Sequence, residues 1–129
     1  MTLETPTKKS PPRLCALAIF GAGCAGGALI WFLSPFVVGE TEPWDANAYY
    51  AAMLFITGLL TGFVCPSRWW LSPIGILVGQ IAYILVTIDW KDAALLPIGL
   101  IYAAIALVLA FLGAGLSALV SRFCKRRQA

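Results

Sequence analysis

Apolar residues run almost unbroken through four stretches, residues 14–38, 49–64, 69–88 and 93–120, while polar positions collect in the short gaps and at the two ends. Runs of this length predict helices, because a hydrocarbon core about 30 Å thick takes roughly 20 residues at 1.5 Å each. The pattern therefore predicts an all-α polytopic membrane protein, a four-transmembrane-helix antiparallel bundle. Residues 1–13 would form an N-terminal tail, 14–121 the membrane domain and 122–129 a basic C-terminal tail.

Small residues recur at four-residue spacing in every stretch: Gly23 and Gly27, Gly58 and Gly62, Gly75 and Gly79, Gly99 and Ala103, then Ala110, Ala114 and Ala118. Such stripes let helix backbones approach closely where lipid supplies no hydrophobic drive between helices. Pro73 and Pro97 fall in the first turns of their helices, where a missing N–H costs little. Pro35 lies near the end of the first stretch and predicts a kink or unwinding over residues 35–38. Ser72-Pro73-Ile74-Gly75 echoes Leu96-Pro97-Ile98-Gly99, an echo short enough to arise by chance.

Composition strengthens the membrane assignment: 60% of the residues are hydrophobic, 12% are charged, and the mean hydropathy is +0.87. Soluble domains carry about twice that share of charge. A basic stretch ahead of the first apolar run has the form of a secretory signal. The run continues well past Phe20, beyond a signal's apolar core, so an uncleaved first helix is expected.

Charge then sets orientation. Lys8, Lys9, Arg13, Arg68, Arg122, Lys125, Arg126 and Arg127 fall at one end of the four-span arrangement, with Lys91 alone at the other. The positive-inside rule places both termini and the turn at 65–68 in the cytoplasm. Residues 39–48 and 89–92 then face outward, with all the acidic residues except Glu4. That bias fits a bacterial cytoplasmic membrane and argues against insertion both ways up. Trp44, Tyr49, Tyr50 and Trp90 are expected at the outer interface and Trp69-Trp70 at the inner one. Arg122, Lys125, Arg126 and Arg127 would meet lipid headgroups, and the cluster is too short to predict nucleic-acid binding.

The chemistry available is sparse. The chain has no histidine, which removes His-ligated metals and haem, His-dependent triads and the usual neutral-pH proton shuttle. Counting inward from the ends puts Gly26, Thr57, Gln80 and Ala106 near one midplane. An unpaired amide there is costly, so Gln80 should bond a neighbour such as Thr57, Thr61 or a backbone carbonyl. Tyr83 and Tyr102 fall about a turn away and complete a candidate polar cluster of Thr57, Gln80, Tyr83 and Tyr102. Glu40, Glu42, Trp44 and Asp45 form a candidate outer contact for a partner or a hard cation. Cys15, Cys65 and Cys124 share the inner boundary and Cys24 lies within the first helix. No Cys-x-x-Cys is present, and inert packing is the expectation for these thiols.

No catalytic residue, cofactor or metal site follows from these positions. The function expected is that of a non-catalytic accessory or scaffold subunit, partnered by membrane lipids and by other membrane subunits or itself. The alternative is a small transporter or channel for a neutral or weakly polar solute passing near Gln80.

Overall fold

The computed structural model describes residues 11–39 and 43–129, apart from the side chains of Trp44 and Asp92. All regular structure among them is helical. The main helices are α1 (Pro12–Val37), α2 (Asn47–Gly62), α3 (Leu71–Thr87) and α4 (Leu96–Gln128), with short 3-10 helices at Pro43–Asp45, Pro66–Arg68 and Trp90–Leu95. Two segments, Pro12–Val37 and Ala93–Gln128, are long and apolar enough to cross a membrane, and Leu71–Thr87 is apolar but shorter.

Two ends differ from the sequence expectation. Residues 35–37 stay helical through Pro35, since proline removes only the amide that would reach back to the carbonyl of residue 31. The Val38 N–H still closes the last turn on the Ser34 carbonyl at 3.0 Å, and Gly39, at φ +78°, turns the chain away. At the other end α4 continues through the basic residues to Gln128. Cations in a last turn complement the negative end of the helix dipole, so 122–128 extend the helix instead of forming a separate tail.

α1 and α2 run antiparallel. Near one end Cys15 is disulfide-bonded to Cys65, just past α2, with the two Cα atoms 5.7 Å apart. Towards the other, the Tyr49 hydroxyl donates to the Ile30 carbonyl at 2.8 Å.

The closest packing joins helices that are not consecutive: α1 lies chiefly against α3, and α2 against α4. Both seams depend on missing side chains. A Cβ on Gly27 would fall on the Ile76 carbonyl, one on Gly79 on the Cys24 carbonyl, and one on Gly58 on the Ala110 carbonyl. The predicted small-residue stripes are thus the buried faces, except that Gly99 is only partly buried while Ala103 is buried.

A regularity links the two seams. Gly23 meets Gly75, Gly58 meets Ala110 and Gly62 meets Ala114, while the ring of Trp31 lies by Tyr83 and that of Tyr50 by Tyr102. One constant sequence interval separates the members of every pair. Gly-x-x-x-Gly-x-x-x-aromatic in α1 recurs in α3, and Tyr-Ala-Ala in α2 recurs in α4. The chain is two helical hairpins in the same orientation, matched residue to residue. The Pro-Ile-Gly echo of α3 in α4 is unrelated to this match, since Gly75 has Gly23 as its counterpart.

Candidate functional site

Hydrogen bonds connect what the glycine seams leave separate. Most of them start on α2, whose buried positions Tyr50, Leu54, Gly58 and Gly62 form a single stripe at four-residue spacing. Tyr50 is 1% exposed and its hydroxyl donates to Gln80 Oε1 of α3 at 2.7 Å. The Thr61 and Ser72 hydroxyls bond each other nearer the Cys15–Cys65 end, and Tyr49 reaches α1 as described. Each seam supplies close contact within a helix pair, and these bonds tie the two pairs together.

Gln80 therefore has a partner, but a different one from those the sequence predicts. Tyr50, expected at an aqueous interface, turns into the core instead. Consecutive helical residues point about 100° apart, so Tyr49 and Tyr50 cannot share one face. Gln80 is itself 1% exposed, and its Nε2 has no hydrogen-bond partner among the described residues.

Tyr102 joins through Tyr50. The two rings stack at 6.0 Å between centroids, and the Tyr102 hydroxyl donates to Asn47 Oδ1 at 2.7 Å. Tyr102 is 39% exposed, so the contacts from the buried Gln80 reach the surface through a ring stack flanked by two hydrogen bonds. Asn47 and Tyr50 were absent from the candidate set, although Tyr50 sits one helical turn before Leu54 on the stripe that carries Gly58.

Thr57 and Tyr83 stand apart from these contacts. The Thr57 carbonyl accepts the Thr61 hydroxyl at 2.6 Å, and its methyl group packs over Gly26. Tyr83 packs its ring against Trp31 at 6.4 Å. Gly26 and Thr57 do share a level along the bundle, as do Gly27 and Gln80.

The other candidates distribute more simply. Glu40 and Glu42 lie outside the described residues, as does the Trp44 side chain, and Asp45 is exposed at the end of its 3-10 helix. No cluster of three or more His, Cys, Asp or Glu residues able to hold a metal occurs among the described residues. Arg122, Lys125, Arg126 and Arg127 are exposed along the final turns of α4. Of the cysteines, Cys15 and Cys65 are bonded to each other, which corrects the expectation of inert thiols, whereas Cys24 and Cys124 are free. Depth alone was legible for that pair; lateral proximity required the fold.

The arrangement holds a carboxamide, two phenols and an asparagine in line, with donors and acceptors but no nucleophile beside a base. It defines an all-α, four-helix protein, apolar over most of its length, with a polar clasp in its core. No family model, curated protein or solved structure matches the chain.

Proposed function

We propose that this protein is a non-catalytic, multi-pass membrane protein of four spans. Its role is that of a scaffold or accessory subunit, packing against other membrane subunits or against copies of itself. The observation that carries this reading is the inversion of polarity between core and surface. Gln80, Ser72, Ser117 and Ser34 are buried, whereas Leu17, Phe36, Val86 and Ile105 are among the many large apolar side chains left exposed. In water such a surface is an aggregation hazard, and in lipid or against another membrane subunit it is matched.

Both termini face the cytoplasm in this arrangement, because Arg13, Arg68 and the basic end of α4 share one end of the bundle and Lys91 occupies the other. The membrane is of the bacterial inner type. At 16 residues, α2 is about 24 Å long, and the bilayer thins slightly around it. In this orientation the Cys15–Cys65 bridge lies at the cytoplasmic end, where cellular reductants oppose it.

One observation favours a second reading, a pathway for a neutral solute. The buried Gln80 Nε2 has no partner among the described residues and is a donor that a solute could take up. That pathway requires Gln80→Leu to abolish flux while leaving the fold intact.

Gentle detergent extraction, followed by native mass measurement and identification of every co-purifying polypeptide, tests the subunit role. Stoichiometric foreign subunits or a defined homo-oligomer are expected. A lone protomer that conducts a solute would sink the scaffold role in favour of the pathway.

A further inference from the structure

A concavity lies away from the polar clasp, on the outer side of α4 near the basic end. It is a groove of about 450 Å³ between the Trp69 ring and the helix, floored by Phe111, Leu112, Gly115 and Leu119, with Arg122 at its mouth. From the adjacent Phe111 and Leu112 the α4 residues continue to Gly115, Leu119 and Arg122 at three- and four-residue steps along one stripe of the helix surface. Lys125 and Arg126 continue that stripe by one further turn. A Cβ added at Gly115 would stand 3.6 Å from the Trp69 ring, an ordinary contact, so only a longer side chain there would fill the floor. Phe111 meets Trp69 edge-on at 6.3 Å, which fixes the ring as the groove's wall.

The groove is apolar along its length and cationic at one end only. Arg122 has no ion pair among the described residues, and of the acidic residues described, Asp45 and Asp89 lie in the connections at the opposite end of the bundle. A ligand that satisfies both parts needs an apolar chain and an anionic head. We propose that the groove is a binding site for one anionic phospholipid, with an acyl chain between Trp69 and α4. Its phosphate lies at Arg122, with Lys125 and Arg126 alongside. The placement matches lipid geometry, since Trp69 and the basic turn mark the depth where headgroups begin. This site rests on the membrane reading above, and it makes the basic end of α4 a selective lipid contact instead of a topology signal alone.

The test starts from carbonate-washed membranes and then uses native mass spectrometry of the purified protein, with phosphatidylglycerol or phosphatidylcholine added at equal concentration. One phosphatidylglycerol is expected to remain bound preferentially. Arg122→Gln should weaken that preference about fivefold, the effect of one base near an anionic surface, and Lys91→Gln should leave it unchanged. Gly115→Leu, which fills the floor, should remove bound lipid of both kinds. Equal retention of the two lipids, or a preference untouched by Arg122→Gln, would overturn the lipid site while leaving the membrane reading standing. Release of the protein by carbonate would overturn both.

Discussion

Gly79→Val and Gly58→Val are each expected to destabilise the bundle by about 3 kcal/mol or more, at the upper end of the range for overpacking. The Gly79 Cβ would enter the space of the Cys24 carbonyl, and the Gly58 Cβ that of the Ala110 carbonyl. A flexible side chain could rotate aside; a helix backbone cannot, so relief requires the paired helices to separate. Separation forfeits the close dispersion contact that holds the seam, and few other forces act between apolar helices in lipid. Gly21→Val is the control, because nothing lies within 4 Å of the Cβ it would add. Reversible unfolding in mixed micelles, followed by circular dichroism, should show the two seam variants far below the wild type and Gly21→Val beside it. Equal stability of all three would mean that the seams do not hold the fold.

Tyr50→Phe carries the next largest effect, about 1–3 kcal/mol, because it leaves the buried Gln80 carboxamide with neither end bonded. Gln80→Leu should cost less. It strands only the Tyr50 hydroxyl and also removes the Nε2 group that has no partner. With both groups replaced, no buried polar atom of the pair is left unsatisfied, so the double variant should be nearly as stable as the wild type. A double-mutant cycle on the same unfolding assay reads this directly as a coupling energy. Additive losses would show that the 2.7 Å bond between Tyr50 and Gln80 contributes nothing to the core.

The four apolar runs were legible because hydrophobicity and length alone report burial or lipid contact, and the helices fall close to the expected spans. Helix partnership was much less so. Every span carries a small-residue stripe, so Gly23 could meet a stripe on any other helix. The recurrence of Gly-x-x-x-Gly-x-x-x-aromatic and of Tyr-Ala-Ala at one interval is the signal that pairs α1 with α3 and α2 with α4. The partner of Gln80 was hidden for a different reason. Tyr49 and Tyr50 satisfy the interface preference equally, and only the helical rotation set by Leu54 and Gly58 tells which of them turns inward. Helix continuation through the basic end of α4 was masked by its polarity, since hydropathy marks where lipid contact ends and not where the backbone stops being helical.

The central claim is that the four helices cross a bilayer with both termini on the cytoplasmic side. It is tested most directly by a membrane-impermeant maleimide applied to right-side-out vesicles. Cys124, free and exposed near the end of α4, should label only after permeabilisation, and a cysteine introduced as Lys91→Cys should label before it. Labelling of both positions before permeabilisation would contradict the four-span arrangement and the subunit role built on it.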